Sequence, residues 1–259
     1  MFVNLNIAGG IKSLLSAGHI AVILCCMVVV IFFSMLVSRH EFSKQRIFVA
    51  ICTGLLIALE VVRIVFRCKY LKSVDEKATF LAATNLDGFV LSMWVSIILL
   101  LFAVIKKRDI KTRTFGLDFV FSISALLAIA TIIYPVGVVE SLPIYDINNL
   151  AFYISRSIIV MVALMMAFTG WISVQNVLDL WRGVVCLIVF GVLCFAVSKM
   201  AFAGTNLFYV EICPFFVSLG INLPAPFHYL MIGLFFFVGQ MILYLPFRIY
   251  CLIRYGSEA

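Results

Sequence analysis

Seven ionisable side chains and one amide fall inside or at the mouths of otherwise apolar runs, and they set the chemistry open to this chain. Glu60 and Arg63 in "ALEVVRIVF" are spaced i and i+3, which puts both on one helix face where they can pair. Arg156 stands in "YISRSIIVMVAL" with two serines as its polar company, and the next basic residue downstream is Arg182. Asp87 in "TNLDGF", Lys199, His19 in "AGHIAVIL", His228 in "NLPAPFHYL" and Asn206 in a Gly204-Thr205-Asn206 turn signal complete the set. Carboxylates and imidazoles can exchange protons, whereas a guanidinium and an ammonium can receive an anionic group. An ionisable group in the bilayer core costs ~2.5–3.5 kcal/mol on insertion scales and faces the protein interior or a cavity.

These residues need a membrane-spanning frame. Of 259 residues, 65% are hydrophobic and 12% charged, with 25 phenylalanines, far more apolar surface than a water-soluble chain can hide. A helix crosses the hydrocarbon core with ~20 apolar residues. Seven such runs are predicted at roughly 18–38, 47–67, 86–105, 115–138, 150–174, 180–203 and 227–250. The expectation is an all-α polytopic membrane protein, a single transmembrane domain over residues 1–259. Residues 1–17 read as an interfacial segment; their only basic residue, Lys12, follows the apolar start, unlike the order in a cleaved signal peptide.

Charge sets the expected orientation. With alternating helices, one side carries Arg39, Lys44, Arg46, Lys106, Lys107, Arg108, Lys111, Arg113, Arg182, Arg248 and Arg254. The other carries Lys12, Arg67, Lys69, Lys72 and Lys77, diluted by Asp75 and Glu76. The positive-inside rule then places the N-terminus out and the C-terminus in. The net charge of +7 follows from this rim and from attraction to anionic lipid, without calling for nucleic acid.

In that topology His19, Asp87, Arg156 and His228 come near the outer ends of their helices, with Glu60, Arg63 and Lys199 in the outer half. Six of the seven helices contribute a polar group to one leaflet. Asp87 and Glu60 are the candidate partners of Arg156, and Glu60 with Arg63 is an equally natural pair. Charge pairs that only fix helix packing, and a Lys199 that snorkels to the interface, would give the same residues a purely structural role. Their gathering in one leaflet favours a ligand-binding cavity, with "AFAGTNLFYVEICPFF" over its mouth. Asp118 lies at the opposite, basic rim, where a local pair with Arg113 is expected. Five cysteines fall within helices as small hydrophobes; Cys68 and Cys213 share the outer side and can pair only if their Cβ atoms meet. Nothing in the spacing calls for a metal or another cofactor.

The order of "AGHIAVIL", "LIALEVVR", "FGL", "AGTNLFYV" and "LYLPF" along the chain resembles the YwaF-like integral membrane family, a seven-helix group related to eukaryotic membrane acyltransferases. The resemblance covers nearly the whole chain. It implies a cysteine nucleophile in a His-Leu-Cys step at the start of the third helix and a histidine base in a Ser-His-Gly step near the start of the fifth. Here "LDGF" and "SRS" occupy those places, giving Phe89 and Arg156. Phenylalanine forms no acyl intermediate, and arginine stays protonated at neutral pH and is no general base.

Three functions compete at this stage. The first is binding of a membrane lipid or other amphiphile from the outer leaflet, with Arg156 and Lys199 receiving its anionic group and no family-type acyl transfer. The second is a divergent acyltransferase or hydrolase using Asp87 with His19 or His228. The third is a small-solute transporter of 3+1+3 helix organisation. A protein partner is left open, and a bacterial cell membrane is implied by the resemblance.

Overall fold

Among the described residues, seven helices long and apolar enough to cross a membrane follow one another, as the hydropathy requires. The computed structural model describes residues 17–74, 88–105, 115–135, 146–172, 177–200, 220–221 and 224–255. The helices are α1 Ala17–Ser38, α2 Phe42–Val74, α3 Gly88–Ile105, α4, α5 Ile147–Phe168, α6 Val177–Met200 and α7 Ala225–Tyr255. Helix α4 runs from Phe115–Phe119 through a π-helical turn, Val120–Ser124, into Ala125–Ile133. No strand occurs among the described residues. The chain is thus a multi-pass integral membrane protein.

Local chemistry explains the helix ends. Asp146 caps α5 by accepting from the backbone N–H of Asn148 at 2.9 Å. The same helix stops at Phe168, earlier than the apolar run to 174 predicts, because Gly170 turns left-handed at φ 76°. The Trp171 N–H then reaches back to the Met166 carbonyl at 3.0 Å, closing the last turn. Helices α2 and α7 run past the predicted apolar spans, and α7 continues through Pro246.

Two helices organise the bundle. Helix α5 packs against α1, α2 and α4, and α4 in turn packs against α3, α6 and α7. Most of α4 and α5 is buried, whereas α1, α6 and α7 turn most of their surface outward, as lipid-facing helices do. Polar side chains fasten the contacts. Ser34 Oγ of α1 lies 3.0 Å from the Met161 carbonyl of α5, and Trp171 Nε1 donates to Gln45 Oε1 of α2 at 3.0 Å. Ser96 of α3 and Ser124 of α4 bond through their hydroxyls at 2.7 Å. In lipid such small-residue and hydroxyl contacts supply what the hydrophobic effect cannot.

Candidate functional site

Arg156 sits mid-way along α5, facing the last turns of α4 and the first turn of α3. Its Nε donates to Thr131 Oγ1 at 2.9 Å, and its Nη1 donates to the Phe152 carbonyl one turn earlier at 3.1 Å. Thr131 can accept because its own hydroxyl proton is directed to the Leu127 carbonyl at 2.7 Å. The guanidinium carbon lies 3.4 Å from the Phe152 ring centroid and 4.0 Å from that of Phe89. Two ring faces and two hydrogen bonds therefore hold the cation in one orientation. Only 3% of Arg156 is exposed, so it does not snorkel to the interface.

The end of α4 links this residue to α1. His19 Nε2 donates to the Ile133 carbonyl at 3.0 Å, two residues beyond Thr131. Ile132, Phe152 and Tyr153 pack with Val22, Ile23 and Cys26 between the two polar groups. His19 and Arg156 thus both contact the last turns of α4.

Glu60 and Arg63 form a buried bidentate pair, with Arg63 Nε 2.8 Å and Nη2 2.6 Å from the two carboxylate oxygens. Of the two pairings open to Glu60 in the sequence, the carboxylate takes the one with Arg63 within its own helix. The i,i+3 spacing explains the outcome, because the shortest route to an opposite charge lies one turn away. Asp87 and Asn206 lie outside the described residues. Lys199 and His228 have their backbones in α6 and α7, and their side chains lie outside the described residues.

Asp118 is buried, 2% exposed, and its carboxylate stands 3.8 Å from Arg182 Nη1 of α6; Arg113, its expected local partner, lies outside the described residues. Cys68 carries a free thiol, and Cys213 lies outside the described residues.

The chain matches no family model, no curated protein and no solved structure.

Residue types alone did not single out Thr131, Phe152 or the ring role of Phe89. Threonine and phenylalanine are ordinary in membrane helices, and only the fold places them on Arg156. Gln240, an amide in the apolar run "GLFFFVGQMILYL", carried a signal that was open to view. It is fully buried against α6.

Proposed function

We propose that this multi-pass membrane protein binds an anionic amphiphile at the end of the bundle that holds His19 and Arg156, and that it does so without acyl transfer. The observation that carries this reading is the Arg156 guanidinium, kept at membrane depth and oriented by Thr131, Phe152 and two rings. A cation there costs ~2.5–3.5 kcal/mol to insert, and an apolar residue of similar volume would pack at no such cost. In this reading an anionic head group joins the groups that already hold the cation. In this reading Lys199, Asp87, Asn206 and His228 approach the same end, with the N-terminus outside and the C-terminus inside a bacterial cell membrane.

The resemblance to the YwaF-like family adds a reason for the absence of acyl transfer. Phe89 and Arg156 correspond to its nucleophile and base, and their 4.0 Å contact supports the view that the two positions belong to one site. Neither side chain can carry out the corresponding step. The transporter reading with two three-helix units gains nothing from the packing, in which α5 lies against α1 and α2.

The test is native mass spectrometry with lipidomics on wild type and on Arg156→Gln, both shown to be monodisperse. An anionic lipid or amphiphile that co-purifies with wild type and is lost from the variant supports the reading. Identical lipid content in both proteins overturns it.

A further inference from the structure

The end of α4 remote from Arg156 holds a second group of buried polar side chains, unused by the function proposed above. Asp118 precedes Thr131 by thirteen residues, or about 20 Å of helix. Around it stand Ser122 of the π-helical turn, Asp179, Arg182, Gly183 and Cys186 of α6, and Gln240 with Tyr244 of α7. Gln240 and Tyr244 are one turn apart, on the same face of α7. Gly183 permits the close approach: a Cβ there would stand 3.1 Å from Ser122 Cβ and 3.3 Å from Gln240 Oε1. Gln240 Nε2 donates to the Gly183 carbonyl at 3.1 Å, and Phe121 holds the Tyr244 ring edge-to-face at 5.0 Å.

Two atoms of this group are left over. Among the described residues, Gln240 Oε1 and Tyr244 Oη are buried and meet no hydrogen-bond partner. Gln240 is 0% and Tyr244 7% exposed, so lipid-facing or bulk water does not satisfy them. Tyr244 lies within electrostatic reach of Asp118, Asp179, Cys186 and Arg182. Native interiors rarely leave such atoms unpaired, and each one needs an explanation. The π-helical turn brings Ser122 and Phe121 to the place, a distortion that recurs at functional sites.

We propose that Gln240 Oε1, Tyr244 Oη and the Asp118 carboxylate form a binding site for a monovalent alkali cation. The two unpartnered atoms are oxygens, the donor type that hard cations take, and no cluster of three His, Cys, Asp or Glu among the described residues offers a transition-metal set. Two carboxylates disfavour an anion. Arg182, 3.8 Å from Asp118, offsets part of their charge and suits the site to a single positive charge rather than two. The inference stands apart from the amphiphile site, so either can fail alone.

The experiment is thermal unfolding of the full-length protein in detergent. Li⁺, Na⁺ or K⁺ chloride replaces choline chloride at constant ionic strength and pH. The expected result is a rise in midpoint of about 5 °C at saturation with at least one alkali cation. That increment disappears in Tyr244→Phe and in Gln240→Leu. Tyr244→Phe removes only an unpaired hydroxyl, so in choline it unfolds at or above the wild-type midpoint, which separates loss of the site from loss of the fold. No cation-dependent increment in wild type overturns the proposal, and so does an increment that survives in Tyr244→Phe.

Discussion

Breaking the Glu60–Arg63 pair from one side leaves a guanidinium in the bundle without its bidentate acceptor. Glu60→Leu is expected to cost about 3–5 kcal/mol, seen as a lowered unfolding midpoint in detergent, whereas Glu60→Met combined with Arg63→Met recovers most of the loss. Thr131→Val takes the acceptor from Arg156 Nε and costs about 1–3 kcal/mol, and Thr131→Ser, which keeps the hydroxyl, stays near wild type. Both comparisons are read by the same melting assay. Only the first of these pairs was legible in the sequence, because i,i+3 spacing fixes contact within a helix whatever surrounds it. Thr131 as a partner of Arg156 was not, since it is 25 residues away on another helix and no local pattern joins the two. Nor was the buried setting of Asp118, which depends on where Arg182 and α6 come to lie.

Helix packing has its own test in the glycines. At Gly239 a Cβ would stand 2.9 Å from Leu126 Cδ1, and at Gly183 it would press on Ser122 and Gln240. Gly239→Ala and Gly183→Ala are therefore expected to destabilise by about 1–3 kcal/mol through overpacking. Gly54 has open space around its Cβ position, so Gly54→Ala gains up to about 1 kcal/mol from helix propensity. Parallel melting of the three variants checks the order. Between α3 and α4, a double-mutant cycle on Ser96→Ala and Ser124→Ala should return a coupling of about 0.6 kcal/mol, the usual worth of a hydrogen bond between membrane helices. Helix existence was legible because each apolar run is long enough to span alone. The ends were less so: hydropathy sees the membrane-embedded part of α2, while its polar first and last turns, "FSKQR" and "RCKYLKSV", continue the helix beyond it. The π-helical turn in α4 had no sequence mark.

At the scale of the molecule, the positive-inside reading predicts a C-terminal reporter on the cytoplasmic face. Replacing Lys106, Lys107, Arg108, Lys111 and Arg113 by glutamine should turn a single orientation into a mixed one, measured by the accessibility of the reporter from each side. A reporter found outside in the wild-type chain would reverse the assignment of the two polar ends. The sequence by itself determined which seven segments are long and apolar enough to cross the membrane and roughly where they lie, because bilayer thickness acts on each segment separately and is read from local composition. Only the tertiary structure decided which helices meet. It placed α4 and α5 at the centre, Phe89 and Thr131 on Arg156, and Gln240 against Gly183. The physical reason is the solvent: lipid is as apolar as the protein core, so outward and inward helix faces look alike in hydropathy. Their pairing rests on shape and on a few hydrogen bonds between residues far apart in the chain.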